Sequence, residues 1–161
     1  MLKIIEASSS KLIEQVRDLF TEYERDLGID LEFQNFQEEL ESLPGGYAPP
    51  EGALLLAYFN GKLAGCVALR KLEEKICEMK RLYVRETYRA RGIGKALSKR
   101  IIEEAKKAGY THMRLDTLSH MKEAMSLYIE LGFREIAPYR YNPFENAKFF
   151  ELDLRKESEN P

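Results

Sequence analysis

The stretch RETYRARGIGKALSKRIIEEAKK, Arg85 to Lys107, sets basic residues around two glycines and runs straight into an amphipathic helix. The first turn of a helix carries four N–H groups with no intrahelical partner, and the aligned peptide dipoles add about half a positive charge there. An anion is the natural guest. Gly92 and Gly94 let a phosphate approach the backbone, while Arg89, Arg91 and Lys95 bring cations to the same turn. Arg89-x-x-Gly92-x-Gly94 after a strand therefore predicts a pyrophosphate cradle. The same residues also suit a plain strand-to-helix turn with a solvated basic face, and the stretch alone leaves both readings open. Other nucleotide motifs fit worse. The Walker pattern is absent, and Leu97 stands where G-x-G-x-x-G needs its third glycine. The strand before the glycines and the acidic charge balance oppose a helix-turn-helix.

Such a turn needs a sheet beneath its helix. LKIIEA reads as a first strand, and Leu12, Val16, Leu19, Phe20 and Tyr23 recur at helical spacing up to Gly28. A second helix is predicted from Glu32 to Leu43, then a loop, Pro44 to Gly52, rich in turn formers. ALLLAYF and KLAGCVALRK are β-rich runs joined by Asn60-Gly61, the dipeptide suited to a tight hairpin. KICEMKRLYV follows a turn at Glu73-Glu74, which would set Cys77 opposite Arg70 rather than Cys66. The helix from Gly92 to Ala108 stops at Gly109, a residue that tolerates the left-handed conformation. THMRLDTL is a strand, MKEAMSLYIEL a helix ended by Gly132, and FREIAPY and AKFFELDL two last strands. The expected fold is α/β, a mixed sheet of about seven strands flanked by about four helices. One domain is expected over residues 1–155, with a polar tail at 156–161.

Lys and Arg number 25 against 27 Asp and Glu, a net charge of −2, so no nucleic-acid or membrane partner is expected. MLKIIEASSSKLIEQ lacks the apolar run of a signal peptide, and a cytoplasmic location is expected. Cys66 and Cys77 lie in strand-like apolar runs without CxxC spacing and read as small buried hydrophobes. With only His112 and His120 besides, no metal is expected.

RARGIG resembles the R/Q-x-x-G-x-G/A signature with which the GCN5-related N-acetyltransferase superfamily binds the pyrophosphate of acetyl-coenzyme A. AMSLYIELGF, Ala124 to Phe133, resembles the family's A-x-x-L-Y-x-x-x-G-F segment, in the right order, and the likeness spans about Leu2 to Leu154. The resemblance implies an acyl-CoA N-acyltransferase fold and acetyl-CoA as cosubstrate. It implies that the backbone at Leu82, Tyr83 and Val84 pairs with the pantetheine arm. It also implies that Arg89, Ala90, Arg91, Gly92, Ile93, Gly94, Lys95 and Ala96 hold the pyrophosphate, and that a bulge in the preceding strand splays the sheet. One departure stands out: Met121 occupies the position of a frequent family asparagine, leaving Ser119 as a cap for the following helix.

The resemblance makes Tyr128 the general acid that protonates the departing thiolate. Packing between helix and sheet is its alternative role, since Ala124, Tyr128 and Leu131 share a helical face. Glu78 lies eleven residues before Arg89, the spacing of the general-base glutamate in the histone-acetylating branch. In a half-buried strand its pKa would be raised; an ion pair with Lys80 is the alternative, and family members also use water chains as the base. Asp116 would orient a substrate amine or cap the chain, and His120 would start a helix. Phe33 to Leu43, Pro44 to Gly52 and Tyr139 to Phe149 would border the acceptor, with Tyr47, Tyr139, Tyr141 and Phe144 either against it or packed on the sheet. The implied function is acetyl transfer to a primary amine of a small molecule such as an amino acid or polyamine. Protein acetylation and a non-catalytic coenzyme A sensor are the alternatives. Homodimer formation through the C-terminal strand is an option in this family.

Overall fold

The chain alternates along its strands so that both faces of one sheet are buried. The computed structural model describes residues 1–28 and 30–155, so the expected tail at 156–161 lies outside the described residues. In chain order the elements are β1 (Leu2–Glu6), α1 (Ser10–Leu27), α2 (Phe36–Ser42), β2 (Ala53–Phe59), β3 (Lys62–Glu73), β4 (Ile76–Val84), α3 (Ile93–Lys107), β5 (His112–Leu118), α4 (Lys122–Glu130), β6 (Arg134–Ile136) and β7 (Ala147–Asp153). The sheet order is β1-β2-β3-β4-β5-β7-β6. Among the described residues only the β4–β5 pair is parallel.

Leu55, Ala57, Val67, Leu69, Cys77 and Met79 form one core with Leu97, Ile101 and Ala105 of α3 and Tyr128 of α4. Leu54, Leu56, Cys66 and Ala68 form the second core with Val16, Leu19 and Phe20 of α1. Each fully buried aliphatic or Phe side chain contributes about 1.5–3 kcal/mol. The two cysteines thus sit in different cores as free thiols.

Ser9 caps α1, its hydroxyl accepting from Leu12 N at 3.2 Å, and Gly28 ends it at φ 76°. The helix expected over Glu32–Leu43 is instead a 3-10 turn (Leu31–Gln34) and α2, separated by Asn35 at φ 58°. Asparagine tolerates that left-handed conformation, which no continuous helix allows. The β3–β4 turn is also displaced by one residue. Lys75 takes φ 67° and Glu73 pairs with Ile76, so the turn is Glu74-Lys75. A register shift between Lys71 and Glu73 then sets Lys71 opposite Cys77, and Arg70 opposite Glu78.

The strand expected over 133–139 stops at Ile136. Pro138 has no N–H for a ladder, and the chain leaves the sheet there. The last strand in sequence, β7, is not an edge, because β5 and β6 flank it.

Candidate active site

An irregularity in β4 opens the sheet. Ala68 faces Lys80 and Cys66 faces Tyr83, so Arg81 and Leu82 stand against Val67 alone. Arg81 absorbs the extra residue at φ 61°. The insertion reverses which side of the strand faces which core: Cys77 and Met79 pack with α3, and past the bulge Leu82 and Val84 do. The expected bulge in the strand before the glycines is therefore present. Pairing between β4 and β5 covers only Ile76–Glu78 against His112–Arg114, whereas β5 stays paired with β7 up to Leu118. Beyond Glu78 the two parallel strands part.

Arg81 is buried and held in this strained conformation from outside the strand. Its Nε and Nη2 donate to Glu39 at 3.0 and 2.7 Å, and the guanidinium lies 5.1 Å from the Phe36 ring centre. A bidentate pair of this kind fixes orientation as well as charge.

On one side of the opening lies a groove of about 440 Å³, lined by Leu82, Tyr83 and Val84, by Arg89 to Gly94 apart from Arg91, and by Met121, Ala124 and Leu127 beside α4. Ala90 at φ 64° and Gly92 at φ 80° turn the chain into α3, whose first turn has no side-chain cap. The uncapped N–H groups of this 15-residue helix open on the groove. A Cβ on Gly94 would meet Val84 Cγ2 at 3.8 Å and Leu127 Cδ2 at 4.0 Å, ordinary contacts. The fold itself thus has room for a side chain there; the open backbone suits an incoming pyrophosphate.

The basic residues contribute less to this groove than their spacing suggests. Arg89 borders it, but its Nε donates to Val84 O at 2.7 Å and Asp26 lies 3.7 Å from its guanidinium. Lys95 pairs with Glu130 at 2.5 Å, and Arg91 lies over the Phe59 ring at 5.2 Å. Ala96 N donates to Gly92 O inside the helix. The cradle is mainly a backbone device.

A second, smaller cavity, about 90 Å³, adjoins the groove and shares Tyr23, Leu82, Met121 and Ala124 with it. Lys80, Asp116, Tyr128 and Asn142 bring polar groups to its wall. Tyr128 packs its ring 5.7 Å from Phe133 and 6.3 Å from Phe150, so it belongs to the core while reaching the cavity. Burial pushes its phenol above the ordinary value, and among the described residues its hydroxyl has no hydrogen-bond partner. A protonated, uncommitted hydroxyl is able to donate.

Glu78 departs from expectation. Its side chain is fully buried, yet its pKa is lowered, not raised: burial pushes it up, but the charges of Lys80, Arg140 and Arg70 together outweigh that. Arg70 Nε and Nη2 both lie 3.0 Å from Oε1; Tyr139 donates to Oε2 at 2.7 Å, and Arg140 donates to the same oxygen. Lys80, the expected partner, donates to Gln34 Oε1 at 3.0 Å instead. The carboxylate thereby ties β3 and the segment after β6 to β4.

A depressed pKa makes this pairing stabilising above pH 4.5, and the stabilisation is lost as pH falls through the lower folded value. Glu78→Gln should lower stability at pH 7 by about 2–3 kcal/mol, because two guanidiniums lose their shared anion. In denaturant titrations the gap from wild type should close in acid. A gap independent of pH would exclude the ion-pair explanation.

Other expectations resolve individually. Asp116 lies within β5 and lines the cavity, accepting from Asn142 Nδ2 at 3.4 Å, so it caps nothing. Ser119 does not cap α4, which starts after Met121 with no side-chain cap; His120 borders the groove. Phe144 and Gln34 line the cavity, but Tyr47 is buried against Phe20 and donates to Glu39, and Tyr141 is exposed. Lys80 was missed as a site residue. The signal was available: it lies two residues beyond Glu78 on the same strand face.

A bulged strand parting from its parallel neighbour, an uncapped helix start at its end and a phenol at the gap together define an acyl-CoA-dependent N-acyltransferase. The model of the Acetyltransferase (GNAT) family matches residues 13–133, and the chain belongs to that family. An uncharacterized N-acetyltransferase of Schizosaccharomyces pombe is 40% identical over 94% of this chain and 96% of its own length. Another, from Dictyostelium discoideum, is 35% identical over 96% of this chain and its whole length. The Bacillus subtilis acetyltransferase solved with CoA superposes with a TM-score of 0.68 at 26% identity, covering 95% of this chain and 99% of that one. The chain is an acetyl-CoA-dependent N-acetyltransferase.

Proposed function

We propose that the acceptor is a primary amine on a small molecule, acetylated by direct transfer. The observation that carries this is the size and lining of the acceptor cavity: about 90 Å³, with Gln34, Asn142 and Phe144 among its walls. A lysine on a protein surface would need an open approach to the same point.

In this reading the backbone of Leu82, Tyr83 and Val84 pairs with pantetheine, and a backbone N–H there polarises the thioester carbonyl. The turn from Arg89 to Ala96 binds the pyrophosphate, chiefly through the N–H groups that open α3. Acetyl-CoA supplies the activated acyl group. Tyr128 donates a proton to the departing sulfur, which its raised pKa permits because the phenol stays protonated at neutral pH. Of the two bases considered for the ammonium, we take water. Glu78 has both oxygens committed and a lowered pKa, so it acts by holding Tyr139 and Arg140 in place. A cytoplasmic setting suits the two buried free thiols.

A panel of amines incubated with acetyl-CoA and a thiol-detecting reagent tests the assignment. Release of coenzyme thiol that depends on particular small amines is the expected result. Tight coenzyme binding with no thiol release on any amine would favour a sensor, and release only with peptides would favour protein acetylation.

A further inference from the structure

Two cations line the acceptor cavity, Lys80 and Arg81, and two more, Arg70 and Arg140, bind Glu78 beside Lys80 on the same strand. Three carboxylates face them. Glu78 serves Arg70 and Arg140, Asp116 lies 3.9 Å from Arg140, and Glu39 serves Arg81. Four minus three leaves one positive charge, and among the described residues Lys80 is the one of the four with no carboxylate within 4 Å. The residue is only 7% exposed, and among the described residues its ammonium donates to the neutral amide of Gln34 alone. A buried ammonium with no directly paired carboxylate is costly unless a ligand supplies the anion. Lys80 lines the cavity on the strand that carries the bulge, and Asp116 lines the same cavity from β5. The two present opposite charges to one small space.

We propose that the acceptor carries a carboxylate as well as its amine, that Lys80 binds the carboxylate, and that Asp116 faces the amine end. This rests on the reading of the chain as a small-amine acetyltransferase and narrows it to amino acids. The electrostatics around Lys80 agree. Burial pushes the Lys80 ammonium down to about 7, with Arg81 and Arg70 acting in the same sense against Glu78 and Asp116. A carboxylate within hydrogen-bond reach supplies the missing counter-charge. A polyamine would bring further positive charge to an ammonium that has no paired carboxylate.

The test compares amino acids with their amides, which match them in size and lack the charge: leucine with leucinamide, methionine with methioninamide, phenylalanine with phenylalaninamide. The wild type should favour the acid in at least one pair by about ten- to a hundredfold in kcat/KM, the worth of a charge-assisted hydrogen bond. This should hold even though an amide's amine is the less basic and so more often unprotonated. In Lys80→Met the ratio should collapse to within about threefold. Equal turnover of acid and amide by the wild type would overturn the inference, and so would a preference that survives in Lys80→Met. Loss of both substrates in equal proportion would overturn it too, because Lys80 would then act on the amine they share. If Lys80→Met does not fold, the wild-type ratios decide alone. Should no amine be acetylated, small-amine transfer fails separately. Calorimetry with 3-phenylpropanoate on the acetyl-CoA-loaded wild type then decides for Lys80: binding supports the carboxylate site and its absence overturns it.

Discussion

Tyr128→Phe should lower turnover by about 10²- to 10⁴-fold, the range of general acid catalysis, equivalent to about 3–5 kcal/mol of barrier. Stability should hardly change. The ring contacts with Phe133 and Phe150 survive in Phe, and the hydroxyl has no hydrogen-bond partner among the described residues to lose. A packing role predicts the reverse, full turnover. The separation is clean because one oxygen atom is removed from a side chain that is otherwise core. Turnover must be measured where chemistry limits the rate, and acetyl-CoA affinity and melting temperature should be taken alongside it. Wild-type turnover in Tyr128→Phe would move the proton donor to water.

Gly94→Asp should cost at least tenfold in coenzyme affinity while leaving the protein folded. The Cβ fits, with its nearest neighbours at 3.8 and 4.0 Å, and Gly94 is not among the glycines with positive φ. A carboxylate in the first turn even favours the helix dipole, so melting temperature should hold or rise. The same carboxylate sits where the pyrophosphate must approach and repels it. Gly94→Ala adds bulk without charge and should show a smaller loss. Calorimetric affinity equal to wild type in a folded Gly94→Asp protein would remove the cradle.

Local chemistry explains what was legible in the sequence. The start of α3, its glycine turn and the three-strand meander before it follow from residue types whose conformational preferences are strong, such as Asn60-Gly61 and Gly92. Asn35 was misread because a single left-handed residue inside a helical pattern leaves the apolar spacing almost untouched. The bulge left a mark that was there to read: Cys77 and Met79 keep one parity, Leu82 and Val84 the other, and one extra residue between them is the simplest cause.

The environment of Glu78 was not legible. Its partners come from β3 and from the segment after β6, and the pairing with Arg70 depends on a turn lying one residue later than expected together with a register shift beside it. A strand residue's pKa is set by charges from elements far along the chain, so the expectation of a raised value failed where three cations converge. Lys80 shows the same limit. Its spacing put it beside Glu78, but that no carboxylate among the described residues pairs with it is a fact of the assembled cavity.

The most direct measurement follows the acetyl group itself. With acetyl-CoA carrying a labelled acetyl group and an amine that passes the thiol screen, mass spectrometry of the quenched mixture should find the label in one N-acetylated small molecule. The protein chain should carry none, since transfer is direct. Label retained on coenzyme A while the coenzyme stays tightly bound, or label found on the protein and not on the amine, would contradict direct transfer to a small acceptor.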